Sequence, residues 1–440
     1  MPSAIELFSG CGGLSTGLIA AGFEVLSAVE INQTAADTYG LNHPTVNLIV
    51  DDVRNVTAVS LLRRHNLRIG ELDLLAGCSP CQGFSRLRKG ESGSTDPRNQ
   101  LVLEFLRLVR GLRPKTVFME NVPGLITTEY GEKLFKEILA ELTRLGYTVD
   151  YRVVDTADYG VPQFRKRFVL LGSRYKRHPI ELPEATHASP EVSVRQNKLA
   201  WNTVRTAFAG IPELQNGGTD PNIPLHTCSH IGELNMRRVR TVPHDGGSRS
   251  SFPPDLVLKC HRDYPNGFRD VYGRMHWDQP SPTITGGCTN ITRGRYVHPD
   301  QDRGISLYEA AKLQTFPDNY VFAGNFGEKS NRRAYSIHKV YLISLDFTFR
   351  KSTKYVLKDT RRNRNCFKIF LIFTEIFRFF HLIRETIVLC PNDSLKTWQF
   401  NIFYVSIISQ FRHNCNEVFL SMSCITSLDK GTQPFVVCDG

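Results

Sequence analysis

The stretch Ala4-Ile-Glu-Leu-Phe-Ser-Gly-Cys-Gly-Gly-Leu-Ser-Thr-Gly17 decides the fold. Its apolar half, Ala4–Phe8, reads as a buried strand. Gly10 and Gly12 then permit a tight turn and a close approach of backbone to a ligand, and the residues after them begin a helix. The third position of a dinucleotide loop is filled by Ser15 instead of glycine. Working outward, further apolar runs lie at Val25–Val29, Val46–Val50, Leu72–Ala76, Thr116–Met119, Val149–Val154 and Phe168–Leu171. Amphipathic helical stretches such as Leu101–Gly111 and Glu132–Leu145 separate them. Such alternation predicts an open, mainly parallel α/β sheet with helices on both faces. Ligands of such sheets sit at the carboxyl ends of the strands.

The chain has 440 residues, enough for two or three domains and a sizeable core. No basic, then apolar, N-terminal segment marks a secretory signal. No run of 18 apolar residues marks a membrane span, since Cys366–Phe380 is broken by Lys368, Glu375 and Arg378. The 11 cysteines are irregularly spaced and do not form a disulfide framework. The net charge of +11 invites a nucleic-acid reading, but residues 331–440 hold 16 Lys and Arg against 8 Asp and Glu. Most of the excess therefore lies in the tail, and local features must identify the substrate.

The second strand ends in Glu30, where an acid commonly accepts hydrogen bonds from ribose hydroxyls, and the third ends in Asp51-Asp52, placed to meet an adenine edge. Acids grouped with Phe8 suit a nucleoside that carries a cation, as a sulfonium does, better than a pyrophosphate. The plainer alternative is that Glu30 and Asp52 cap the helices that follow.

The fourth strand leads to Gly77-Cys-Ser-Pro-Cys-Gln-Gly-Phe-Ser85. Two cysteines three apart also permit a redox pair or half a zinc site. No second ligand pair stands near Cys228, Cys260 or Cys288, and a redox pair leaves the nucleoside site without a role. Cys81 lies in a Pro-Cys-Gln turn at the end of a strand, where such sheets carry reactive groups. The fifth strand leads to Glu120-Asn-Val-Pro-Gly124. Later, Val161-Pro-Gln-Phe-Arg-Lys-Arg167 puts Arg165 and Arg167 on one face of an extended segment. Alternating arginines often mark only a solvated strand edge; beside an acid and a thiol they read as donors to a bound base or phosphate.

The ordered set Phe-Ser-Gly-Cys-Gly-Gly, Pro-Cys-Gln, Glu-Asn-Val, Gln-Phe-Arg-Lys-Arg and Gln279-Pro-Ser-Pro-Thr-Ile-Thr285 resembles the DNA (cytosine-5) methyltransferase family of the bacterial restriction-modification type, over residues 4–330. The resemblance implies an S-adenosylmethionine-dependent, Rossmann-like methyltransferase fold with a mixed, mostly parallel sheet and a smaller, irregular target-recognition domain. It implies a cytoplasmic bacterial enzyme, acting as a monomer on double-stranded DNA, without metal, with a separate restriction endonuclease as a possible companion. The methyl donor would lie against Phe8, Ser9, Gly10, Gly12, Gly13, Glu30, Asp52 and Pro80. Cys81 would be the nucleophile that adds to C6 of a flipped-out cytosine, with Glu120, Arg165 and Arg167 as its catalytic companions. Residues 1–175 would be the catalytic domain, 176–274 the target-recognition domain, and 275–330 a return to the catalytic domain. Within 235–274, 8 Lys and Arg face 4 Asp and Glu. Arg237, Arg238, Arg240 and Arg249 are the candidate DNA contacts there. The rival readings are an RNA cytosine-5 methyltransferase and a crippled DNA-binding remnant.

The resemblance fails near residue 330. Ile305-Ser-Leu-Tyr-Glu-Ala-Ala-Lys-Leu-Gln-Thr-Phe-Pro-Asp318 matches the family, but the Gly-Asn-Xaa-Val-Pro segment that should follow is replaced by Lys329-Ser-Asn-Arg-Arg-Ala-Tyr-Ser-Ile-His-Lys-Val340. Composition changes at the same place: in 331–440 the only glycines are Gly431 and Gly440 and the only prolines Pro391 and Pro434. This atypical tail reads as a small accessory domain, as a disordered segment, or as out-of-frame translation of AT-rich DNA. A frameshift near the codons for residues 328–332 would leave the product weakly active or inactive, because the lost segment contributes to the cofactor pocket. Translating the other two frames downstream of these codons is expected to recover Gly-Asn-Xaa-Val-Pro; its absence from both would sink the frameshift.

Overall fold

The computed structural model describes residues 1–80, 100–175, 180–264 and 267–324. Cys81 and the tail from residue 325 lie outside the described residues.

Seven strands form one sheet: β1 (Ser3–Leu7), β2 (Glu24–Glu30), β3 (Asn47–Val50), β4 (Leu74–Gly77), β5 (Thr116–Asn121), β6 (Thr148–Asp155) and β7 (Lys166–Ser173). Their spatial order is β3-β2-β1-β4-β5-β7-β6. The first five run parallel, and β7 is inserted antiparallel to both of its neighbours. The sheet is thus mixed and mostly parallel. Its antiparallel member follows from chain economy: only the short segment 156–165 joins β6 to β7, too little for the crossover that a parallel pair needs.

Helices α1 (Gly13–Ala20), α2 (Gln33–Asn42), α3 (Ala58–Arg64) and α4 (Leu101–Leu112) follow the early strands, with α5 (Gly124–Thr127) and α6 (Glu129–Arg144) after β5. Local sequence starts several of them. Asn32 Oδ1 accepts from the Ala35 amide at 2.9 Å, and Thr57 and Thr128 cap α3 and α6 likewise. In α6, Glu129 and Glu132 sit in the first turn and Arg144 in the last, so charge complements the helix dipole at both ends.

Period-two alternation splits the strand side chains between two cores. Ile5, Leu7, Leu75, Val117, Met119, Phe168 and Leu170 face α4 and α6, meeting Phe105, Leu108, Val109, Ile138 and Leu142. Ala4, Leu74, Ala76, Phe118, Val169 and Leu171 face the other side, with Leu14, Leu18, Phe23 and Tyr39. Each large apolar side chain buried here contributes about 1.5–3 kcal/mol. The fit is close where β4 ends: a Cβ on Gly77 would stand 2.9 Å from Phe105 Cδ2.

Residues 180–264 and 267–324 hold few regular elements, and buried arginines replace ladder bonds there. Arg274 is fully buried. Its guanidinium donates to the carbonyls of Val239, Val242, His298 and Gln301 and to the Asp302 carboxylate. Arg303 and Glu309, both 1% exposed, pair at 2.6 Å, and Glu309 also closes a capping box with Ser306. Unpairing either buried charge would cost about 3–5 kcal/mol, so these contacts define the path of an otherwise irregular chain. The segment Gln279–Thr285 packs back on the sheet: Phe164 N donates to Ser281 O at 2.8 Å, and Thr283 Oγ1 to Phe164 O at 2.7 Å.

Candidate active site

The order of strands reverses direction between β1 and β4. From β1 the chain winds outward through β2 and β3; from β4 it winds the other way to β5. Leu7 pairs with Gly77, and Gly77 with Met119, so three strands deliver their next residues to one crevice. Phe8–Gly12 follow β1, Cys78–Pro80 follow β4, and Glu120 is one place from the end of β5. Such a switch point is where ligands bind open α/β sheets.

On the β1 side the loop is held tightly. Phe8, Gly10 and Gly12 take φ values of 59°, 58° and 91°. Gly12 has a steric reason for lacking a side chain, since a Cβ would lie 2.6 Å from the His43 ring and 2.9 Å from the Tyr320 hydroxyl. Ser9 N donates to Val29 O at 3.0 Å. Glu30 is buried, and its carboxylate accepts from the amides of Gly10 at 2.8 Å and Asn32 at 2.9 Å. It therefore fastens the glycine loop to the end of β2. Gly13 opens α1. Asp52 accepts from the Arg54 amide at 2.9 Å and pairs with the Arg54 guanidinium, which holds its carboxyl below the usual range. It thus caps the short turn Val53–Asn55 at the end of β3. Pro80 is half-buried beyond β4.

On the β5 side Glu120 is 4% exposed. Arg167 Nε stands 2.7 Å from Glu120 Oε1, an ion-pair contact whose N–H direction falls short of an aligned hydrogen bond. Burial raises the Glu120 carboxyl above its ordinary value, against the opposing pull of Arg167 and Arg165. Arg165 is also buried; its amide donates to Asp155 Oδ1 at 2.8 Å and its guanidinium to Ile284 O at 3.1 Å. Arg167 thus meets Glu120 from β7, and Arg165, just before β7, acts on it by charge although 45 residues separate the two in sequence. Asn121 Nδ2 donates to Ser79 Oγ at 3.3 Å, which joins the ends of β4 and β5. Burial pushes the Cys78 thiol well up, and the charges of Glu120 and Glu6 push the same way. A thiol so protected from ionisation is a poor nucleophile. Cys81 itself lies outside the described residues.

The four candidate DNA-contacting arginines differ in what they do. Arg237 and Arg240 are exposed on the helix Glu233–Arg240, with distant acid partners in Asp255 at 3.4 Å and Asp302 at 3.8 Å. Arg238 donates to Leu256 O and Asn235 Oδ1 and lies over the Tyr272 ring. Arg249 donates to the carbonyls of Gly267 and Phe268. The last two tie their own loops together, a use that a charge count does not reveal. Among the described residues no cluster of three His, Cys, Asp or Glu could hold a metal, and no helix is long and apolar enough to cross a membrane.

Sequence reading missed a buried polar group under the loop. Glu6, on β1, is 1% exposed and accepts from Ser15 Oγ, which in turn lies 2.6 Å from the Tyr39 hydroxyl. An acid in an apolar strand was a visible signal, as was serine in place of the third glycine. Burial drives the Glu6 carboxyl to about 8, opposed by the Ser15 hydrogen bond and reinforced by the charge of Glu30.

The family model for C-5 cytosine-specific DNA methylase matches residues 3–336, and the chain belongs to that family. It is 35% identical over 362 residues to the Type II methylase M.HgiDII of Herpetosiphon aurantiacus, across 81% of this chain and 96% of that one. It is 37% identical over 321 residues to the Type II methyltransferase M1.HphI of Haemophilus parahaemolyticus, across 73% of this chain and 79% of that one. The fold matches a crystal structure described as a prophage-encoded DNA modification methyltransferase of E. coli, with a TM-score of 0.60 at 24% identity, covering 82% of this chain and 100% of that one.

Glu6 gives the site a stability signature. Its folded pKa lies above the unfolded value, so the neutral acid favours the fold. That contribution is complete below about 4.5 and is lost as pH rises through about 8. Glu6→Gln, which stays neutral, is expected to gain on the wild type by about 1.4 kcal/mol per pH unit at most across this window. Urea unfolding at pH 5 and pH 8.5 measures it; a difference that does not change with pH would refute the assignment.

Proposed function

We propose that the chain transfers a methyl group from S-adenosylmethionine to C5 of cytosine within a specific double-stranded DNA sequence. The observation that carries this reading is Glu120, whose carboxyl is raised by burial beside Arg167 and which lies one strand from the end of β4, where Pro80 stands, and two from the glycine loop.

The residues at the ends of β1, β2 and β3 fit the methyl donor. Phe8 offers a ring and the Ser9–Gly13 loop close backbone approach, Glu30 and Asp52 supply acceptors for ribose and adenine, and Pro80 borders the crevice. No basic side chain among these residues would repel a sulfonium. Bound there, the donor supplies an electrophilic methyl group.

Cytosine C5 is a weak nucleophile. Cys81, as thiolate, adds to C6, and the electron pair of the C5–C6 double bond moves toward N3 and O2. Glu120 delivers a proton to N3, a role that the upward shift of its carboxyl by burial favours, and Arg165 and Arg167 stabilise charge on the O2 side. The resulting enamine makes C5 nucleophilic, so the methyl group can be accepted there. N3 then returns its proton to Glu120, and loss of the C5 proton to water drives out the Cys81 thiolate and restores the C5–C6 double bond. Because C6 is hidden in stacked DNA, the base must be flipped out, at a cost of about a few kcal/mol. Residues 176–274 act as the target-recognition domain that grips the flanking duplex, with 1–175 and 275–330 as the catalytic domain. Arg237 and Arg240 reach phosphates; Arg238 and Arg249 support them by bracing their loops. The chain acts as a monomer.

The missing Gly-Asn-Xaa-Val-Pro segment favours one alternative, a DNA-binding remnant with no affinity for the donor. Calorimetric titration with S-adenosylmethionine separates the two, since saturable binding excludes the remnant.

The mechanism is tested by trapping. Fluorine at C5 of a target cytosine cannot leave as a cation, so a methylated adduct stays bonded to the enzyme. With S-adenosylmethionine and 5-fluorocytosine DNA the wild type is expected to give a covalent complex stable to denaturation. Cys81→Ala should give none, and Glu120→Gln should form it about 10²–10⁴-fold more slowly. A complex that survives in Cys81→Ala would refute Cys81 as the nucleophile.

A further inference from the structure

The loop that ends β1 is held on its outer side by two residues distant in sequence. The Tyr320 hydroxyl donates to the Cys11 carbonyl. His43 Nε2 lies 3.1 Å from the Gly12 carbonyl, which can only accept, so the ring is in its Nε2–H form and donates. The same carbonyl also accepts from Thr16 N and Thr16 Oγ1, both at 2.9 Å. Tyr320 and His43 stand together, with 3.5 Å between the hydroxyl and Nε2. Gly12 is the close-packed point beneath both, as its missing Cβ shows.

Tyr320 belongs to a short strap that is itself anchored. Phe316, Tyr320 and Phe322 form one aromatic cluster against Cys11 and Ala311. Asn42, at the end of α2, grips Val321 twice: its Nδ2 donates to Val321 O at 2.7 Å, and its Oδ1 accepts from Val321 N at 2.9 Å. The Ala323 amide donates to Thr38 Oγ1 at 3.0 Å. These bonds bring the latter part of the described chain onto α2 and the glycine loop at once.

A trans peptide points its C=O and the following N–H in opposite directions. Fixing the carbonyls of Cys11 and Gly12 outward therefore fixes the planes of the two peptides that follow, including the Gly13 N–H at the open end of α1. A loop with two glycines at positive φ has many other conformations available, and something must select this one. We infer that Tyr320 and His43 are positioning residues for the methyl donor: a latch, formed by Tyr320 on the strap 316–323 and His43 at the end of α2, that presets the peptide planes of the glycine loop. This rests on the reading of that loop as the donor site. The latch replaces loop ordering that binding would otherwise have to supply, so losing either donor weakens binding without any contact to the ligand being removed.

Calorimetric titration of the full chain with S-adenosylmethionine tests it. Tyr320→Phe keeps the aromatic packing and removes one donor; it is expected to raise the Kd about tenfold, the effect of one hydrogen bond. His43→Leu should do the same. His43→Gln, whose amide can still donate to the Gly12 carbonyl, should bind within about twofold of wild type. That rescue separates positioning from loss of packing, which would weaken Gln and Leu variants alike. Tyr320→Phe and His43→Leu binding like a wild type that itself binds would overturn the latch alone. A wild type that does not bind would overturn the donor site and the latch with it.

Discussion

The pairing of β1 with β4 is the constraint on which the site depends. Ala4–Leu7 lie in parallel register with Leu74–Gly77 although 70 residues separate the partners. That ladder puts the glycine loop and the Cys78–Pro80 turn side by side at the point where the sheet changes winding direction. β5 joins in register with β4 and adds Glu120. No loop has to reach far, because Phe8–Gly12 and Cys78–Pro80 are the next residues after buried strands and Glu120 lies within one. The apolar layers on both faces hold the strands, so the stability of the core and the geometry of the crevice have one origin.

Charge is distributed across the crevice in two opposite ways. The β1–β3 end presents acids that each use only part of their accepting capacity on backbone: Glu30 holds Gly10, and Asp52 caps a turn. The β5–β7 end surrounds one acid with two arginines. A cationic donor and an electron-accepting base ring require such unlike neighbourhoods within one cleft. Between them lies Glu6, neutral over most of the physiological range and hydrogen-bonded to Ser15. An ionised Glu6 would add to the charge of Glu30 and strain the loop above it, so the burial that raises its pKa also protects the loop.

Much of this was legible in sequence. The seven apolar runs are the seven strands, because buried strands need continuous apolar residues and the intervening helices carry their own period. Order of motifs placed Glu120, Arg165 and Arg167 near one another before any coordinates. The resemblance implied a mixed sheet, but the insertion of β7 between β5 and β6 was not legible, since the order of strands in space is not written in the strand's own residues. The work of Glu30 and Asp52 in tying backbone was raised only as an alternative, because capping and ligand binding draw on the same residue types. Tyr320, His43 and Arg274 were silent: each acts on carbonyls that are far away in sequence, and no local pattern encodes such partners. The same reason hid the bonds by which Arg238 and Arg249 tie their own loops together.

Bisulfite sequencing after methylation in vitro tests the central claim most directly. Purified chain in molar excess over DNA, with saturating S-adenosylmethionine and a long incubation, allows product to form even when turnover is slow. The expected result is unconverted cytosine confined to one short sequence in duplex DNA. Complete conversion of every cytosine, with the chain shown to be folded, would contradict it.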